Sequence, residues 1–186
     1  MLEWFFGKRD EATRADDSVW ASRAARLAGI RREGERLAGA GCSVLVVALT
    51  QAEFDELVAA LAQQQPLGCR NRWEGDALRE RLGRAGSIAV ALAETLPDRM
   101  EAGIGVPVEI LVCGRNTARR ADEAILRVAD LLGRTARVTF HLSLDDALLQ
   151  RAVGSIKPML ARLGLSEDEA ISNPMVTRAI ARLQSA

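Results

Sequence analysis

The chain has 186 residues, of which 48% are hydrophobic and 27% charged, a composition that suits a soluble globular protein with room for a substantial core. Lys plus Arg and Asp plus Glu both number 25, so the net charge is zero, which argues against a broad basic footprint for nucleic acid while leaving room for a local basic patch. Only Lys8 and Lys157 are lysines, and this excess of arginine accompanies abundant alanine and glycine as a composition bias.

The opening segment holds Leu2, Trp4, Phe5 and Phe6 before turning strongly charged. Residues 1–15 are read as an arm, with Trp4, Phe5 and Phe6 as candidate contacts for a partner protein or a peripheral membrane surface. Asp16-Asp17-Ser18 predicts a helix start, with the helix running to about Ala38 and stopped by Gly39 and Gly41. Trp20, Ala24, Leu27, Ile30 and Leu37 then fall near one face. SVLVVAL at 43–49 is a continuous apolar run of strand length, as expected of a strand buried on both faces.

Thr50 and Glu53 have the spacing of a capping box, and Phe54, Leu57, Val58 and Leu61 follow with helical periodicity. Pro66 and Gly68 break that helix; a weak strand near 68–72 and a helix near 75–84 come next. SIAVAL (87–92) is a second buried strand, 93–106 a loop, PVEILVC (107–113) a third strand, and a helix spans about Thr117–Leu132. ARVTFHLS (136–143) is the last strong strand, and from Leu144 onward the sequence reads as helix. Ser143 with Asp146, Ser166 with Glu169, and Asn173 before Pro174 are candidate helix starts. Alternating strands and helices at this spacing predict βαβ units and a mostly parallel sheet between helices, at 16–150, followed by a helical extension at 151–186.

The chemistry-bearing residues are sparse. No glycine-rich phosphate loop is followed by lysine, and Gly103-Ile104-Gly105 is only a pair of loop glycines. His141 is the single histidine and sits inside an apolar strand, where a packed, hydrogen-bonded role outweighs catalysis. Cys42, Cys69 and Cys113 form no CxxC pair and suggest no disulfide scaffold or zinc site, and Cys42 and Cys113, in or beside apolar runs, are read as small hydrophobes. Asp145 and Asp146 are accounted for by helix N-terminal charge. With no secretory signal and no apolar run near about 18 residues, the expected location is cytoplasmic, with peripheral contact at the inner membrane through the arm.

Three segments carry a family resemblance: GRNTARRAD (114–122), FHLSLDDALL (140–149) and LARLGLSEDEAISNPMVTRAIARLQ (160–184). In this order they resemble the second nucleotide-binding domain of SecA, the motor ATPase of bacterial preprotein translocation. The resemblance implies a RecA-like domain, related to the C-terminal half of helicase motors and lacking the phosphate loop. It covers about 17–186 and is vague between 63 and 106.

Two departures shape the functional expectation. ALAETLPDRM (91–100) stands where the family has a glycine-rich nucleotide contact. Ala124 and the run LRVADL (126–131) stand where it has a glutamine and a Gly-Arg-rich run. Ala121, Ala124, Ile125, Val128, Leu131 and Leu132 are expected to form an apolar helix face there. Transition-state arginines are worth about 10³–10⁵ in rate in related phosphoryl-transfer machines, so the expectation is a degenerate, stand-alone copy without catalytic residues. Arg115, Arg119, Arg120 and Asp122 remain as a residual nucleotide or docking edge. The resemblance with these departures implies a protein-binding or assembly module in translocation or membrane-complex biogenesis, with a translocase-type or membrane-complex protein as partner. The helicase analogy would suggest nucleic acid, but zero net charge and the lack of a basic-aromatic stripe argue against it. The alternative is the second half of a composite ATPase, with ATP or ADP held only at a shared interface.

Overall fold

A computed structural model describes residues 13–97, 105–132, 136–151 and 168–184, with isolated positions between 154 and 166. The arm residues Trp4, Phe5 and Phe6, Gly103 of the loop and most of the 151–167 segment lie outside the described residues. The strands are β1 (Thr13–Arg14), β2 (Ser18–Trp20), β3 (Ser43–Ala48), β4 (Leu67–Cys69), β5 (Ile88–Leu92), β6 (Val108–Cys113), β7 (Ala136–Ser143) and β8 (Ile171–Ser172). The helices are α1 (Arg23–Gly39), α2 (Gln51–Ala60), α3 (Gly75–Leu82), α4 (Arg119–Leu132), α5 (Ala147–Gln150) and α6 (Pro174–Leu183).

The strands form one sheet in the order β4-β5-β3-β6-β7-β2-β8, with β1 also pairing to β7. All pairings are parallel except β2 with β8. Every residue of β3 and β5 is buried, as the unbroken apolar runs require of strands covered on both faces. Ile30 and Leu37 of α1 and Phe54 and Leu57 of α2 pack with Val44, Val46 and Val90 on one face. Leu78, Ile125, Val128, Val176 and Ile180 of α3, α4 and α6 pack with Leu45, Val112, Val138 and Phe140 on the other. Burying each such leucine, isoleucine or phenylalanine stabilises by roughly 1.5–3 kcal/mol. The architecture is therefore an α/β sheet wound in both directions.

Several boundaries differ from the sequence expectation. Asp16-Asp17-Ser18 does not start a helix: Ser18, Val19 and Trp20 pair with His141, Leu142 and Ser143 as β2. The helix begins at Arg23, where Ser22 Oγ accepts from the amide of Ala25 at 3.1 Å. Trp20 belongs to the sheet, and its indole lies over Gly29, where a Cβ would come within 2.1 Å of the ring. The buried face of α1 is Arg26, Gly29, Ile30, Gly34 and Leu37, while Ala24 is exposed.

Farther along, the strand near 68–72 is Leu67–Cys69. The helix expected from Ser166 through Glu169 is absent at 168–170, and Ile171-Ser172 form β8 against β2. The Asn173 cap is present: its Oδ1 accepts from Met175 N at 2.8 Å, with Pro174 in the first turn. On α4 the buried residues are Asp122, Ile125, Val128, Ala129 and Leu132, whereas Ala121 and Ala124 are exposed. The face is turned relative to the apolar pattern because Asp122 is drawn inward by Arg115.

Candidate functional site at the carboxyl edge of the sheet

Sheets wound in both directions offer a ligand crevice where neighbouring strands send their following chains to opposite faces. Here those strands are β3 and β6, since α2 covers one face and α4 the other. The residues at that point are Leu49 and Thr50 after β3, and Gly114 and Arg115 after β6.

The crevice is occupied by the chain's own ion network. Arg26 is buried, and its Nη1 donates to both carboxylate oxygens of Asp146 at 2.8 and 2.9 Å. Its Nη2 donates to Glu53 Oε1 at 3.0 Å. Burial opposes the charge of Arg26, yet Cys113, Asp146 and Glu53 around it hold its pKa above the ordinary value. Gly114 has φ +102°, and a Cβ there would stand 3.3 Å from Leu49 Cδ1 and 3.4 Å from Arg26 Nη1. Glycine is thus required both by the backbone and by the arginine.

Both acids are positioned by short-range bonds. Glu53 N donates to Thr50 Oγ1 at 3.2 Å, as the capping-box spacing anticipates, but the Glu53 carboxylate reaches Leu49 N and Arg26 rather than Thr50 N. At the β7–α5 turn the expected cap is reversed. Ser143 ends the strand, and its N and Oγ both donate to Asp146 at 2.9 Å. Asp145 Oδ2 accepts from Arg23 N at 2.8 Å, fastening the same turn to the start of α1.

A second network lies beside the first. Arg115 Nη2 donates to Asp17 Oδ1 at 2.7 Å, and Nη1 donates to Asp122 Oδ2 and Gln184 Oε1, both at 3.2 Å. Its guanidinium stacks over Phe140, 4.1 Å from the ring centre. Gln184 Nε2 donates to Asp122 Oδ2 at 2.6 Å and to Asn116 O at 2.8 Å, while Asp17 N donates to Thr177 Oγ1 at 2.8 Å. One arginine therefore joins β2, the β6–α4 turn, α4 and α6. Burial pushes the Asp17 carboxyl up to about 7 against the pull of Arg14, with Asp122 and Asp16 adding to the rise. Asp17 Oδ2 has no hydrogen-bond partner among the described residues.

The four residues singled out at this edge are divided. Arg115 and Asp122 are buried partners of one another, whereas Arg119 and Arg120 are exposed in the first turn of α4. His141 is fully buried, and its Nδ1 accepts from Trp20 Nε1 at 3.3 Å. Burial, aided by Arg26, lowers its pKa to about 3, so the ring is neutral. Burial also pushes the Cys69 and Cys113 thiols up to about 11 and about 12, which suits inert core residues. Asp17, Arg26 and Gln184 escaped sequence reasoning; the only signal was that each is polar within or beside an apolar stretch.

No protein-family model matches the chain. It is 32% identical to the protein translocase subunit SecA of Oleidesulfovibrio alaskensis over 180 residues, covering 90% of this chain and 21% of the relative. SecA of Nitratiruptor sp. is 28% identical over 91% of the chain and 21% of its own length. The chain is SecA-like. It spans about a fifth of the length of the curated relatives it matches. Among solved structures, the C-terminal part of the Fun30 ATPase domain matches with TM-score 0.51 at 10% identity, covering 85% of this chain and 52% of that one. T4 UvsW matches with TM-score 0.52 at 13% identity, covering 83% and 40%. These likenesses establish the RecA-like fold, and the sequence likeness is to SecA, a protein translocase subunit.

Proposed function

We propose that this SecA-like chain is a non-catalytic protein-binding and assembly module of protein translocation or membrane-complex biogenesis. One observation carries the reading: the crevice between β3 and β6 is filled by Arg26 with Glu53 and Asp146, which occupies the place where such sheets hold a ligand. Arg115, the basic residue nearest that crevice on the α4 side, is committed to Asp17, Asp122 and Gln184. A domain whose carboxyl-edge arginines are committed to its own carboxylates retains its outer helices and loops for contact. Among the described residues no helix is long and apolar enough to cross a membrane; the Trp4-Phe5-Phe6 arm is the candidate point of peripheral membrane contact.

The test is affinity purification of the tagged chain from its native cell, with and without residues 1–15. Recovery of a translocase or membrane-complex protein is expected; a chain that captures none overturns the reading. A second reading, a trans-acting half of a composite ATPase, is favoured by the exposed Arg119 and Arg120 at the start of α4. It predicts that adding this chain raises turnover of a phosphate-loop partner, and that Arg119→Ala abolishes the gain.

A further inference from the structure

The largest apolar side chain left in solvent among the described residues is Trp73, which is 93% exposed. It lies in the single turn Arg72–Glu74 between β4 and α3, and nothing in the fold accounts for an indole there. Isolated exposed apolar residues are ordinary, but one beside an apolar groove marks a contact surface.

Such a groove is adjacent. A cavity of about 400 Å³ opens between the turn after β5 and the outer side of α4, walled by Leu96, Pro97, Val128 and Leu131. Among the described residues, Arg72, the residue before Trp73, and Arg127 bring basic side chains to it, and Glu94 an acidic one. Arg72 Nε donates to Glu94 O at 3.2 Å, and the Cβ position of Gly75 is 3.8 Å from Pro97 Cβ. The chain on both sides of Trp73 is thus fastened to the groove wall, which holds the indole at its edge. The α4 wall comes from Ala124 and the run LRVADL, with Arg120 one turn before Ala124 on the same stripe.

We propose that this groove, with Trp73 at its rim, docks a peptide segment that carries acidic residues next to a bulky apolar side chain. The apolar floor and the volume suit one or two buried side chains, and the exposed Arg127, with Arg120 on the same stripe of α4, favours an acidic flank. Tryptophan and arginine are the residues most enriched where binding energy concentrates. A nucleic acid could also stack on an exposed indole, but its backbone needs a cationic track. The groove offers an apolar wall containing a glutamate instead. The proposal rests on the protein-binding reading and assigns it a surface.

The experiment uses the whole chain and fluorescent synthetic peptides: one acidic with a leucine-tryptophan core, its basic counterpart, and an acidic peptide without apolar residues. A single-stranded oligothymidine is the fourth probe. The acidic-apolar peptide is expected to bind, more weakly at high salt, and at least about tenfold more weakly to Trp73→Ala and to Arg127→Glu. Equal binding of the basic peptide, preference for the oligonucleotide, no binding at all, or indifference to both substitutions each overturns the groove. The same two variants in the native-cell purification separate the two levels. Partners retained by both variants sink the groove alone, whereas partners missing even from the unaltered chain sink the binding-module reading.

Discussion

The two halves of the sheet's carboxyl edge solve opposite problems. Over β3, β6, β7 and β2 the edge is sealed with charge: Arg26 and Arg115 each face two carboxylates, and chain segments more than 90 residues apart are tied together. Over β4 and β5 the edge is apolar and open, with a groove and an exposed tryptophan. Charges buried in pairs add little net stability over well-packed hydrophobes, but they fix a unique arrangement when every member is present. The difference teaches that the sealed half is sensitive to single substitutions while the open half tolerates them.

The largest effect is expected in the sealed half. Arg26→Ala leaves Asp146 and Glu53 facing each other across an empty space beside β6. The loss should be about 3–5 kcal/mol of unfolding free energy, read as a shift in the urea midpoint. Combining Arg26→Met with Glu53→Gln and Asp146→Asn should recover much of it, because no uncompensated charge remains. Equal destabilisation by the triple variant would mean that Arg26 matters for shape rather than charge.

A pH-dependent effect divides the sealed half further. His141 is held neutral with its pKa lowered from 6.5 to about 3, so the unfolded chain binds the extra proton as pH falls. Its contribution to stability is complete above about 6.5 and is lost as pH drops toward 3, by about 1.4 kcal/mol per pH unit. Asp17 has the opposite sign. Its pKa is raised from 3.8 to about 7, so the folded chain holds the extra proton, and stability falls as pH rises from about 4 to about 7. Between about 4 and 6.5 the two slopes oppose each other. Relative to the unaltered chain, Asp17→Asn should steepen the loss of stability on acidification and His141→Asn should reduce it. Urea titrations across that range check both, and parallel profiles would show that neither group titrates as its burial requires.

How much of this was legible in the sequence follows from the range of the interactions. SVLVVAL, SIAVAL, PVEILVC and ARVTFHLS announced four strands because a predominantly apolar, β-branched run of that length depends on no partner. β2 and β8 were missed because they have three and two residues, and only pairing across the fold makes them strands. Ser18 after two aspartates has the local chemistry of a helix cap, and tertiary pairing overrode it. Thr50 and Asn173 acted as caps as expected, since a cap is satisfied within three residues. The ion networks were opaque for the converse reason: Arg26 meets Asp146 and Arg115 meets Asp17 across 120 and 98 residues. His141 is legible as a packed histidine, but its partner Trp20 also fits the apolar spacing of the following helix, and only pairing with β7 puts it in the sheet.

The smallest stability effect belongs to the open half. Trp73 packs against little, being 93% exposed, so Trp73→Ala should change unfolding free energy by no more than about 0.5 kcal/mol. That near-silence makes the substitution a clean probe, because any loss of peptide binding then reflects the rim of the groove and not a loosened fold. Trp20 provides the internal contrast. It is buried over Gly29 and hydrogen-bonded to His141, and Trp20→Ala should cost about 3–5 kcal/mol. If Trp73→Ala proved as costly as Trp20→Ala in urea titrations, the indole would be part of the packed fold, and the division of the edge into a sealed and an open half would fail.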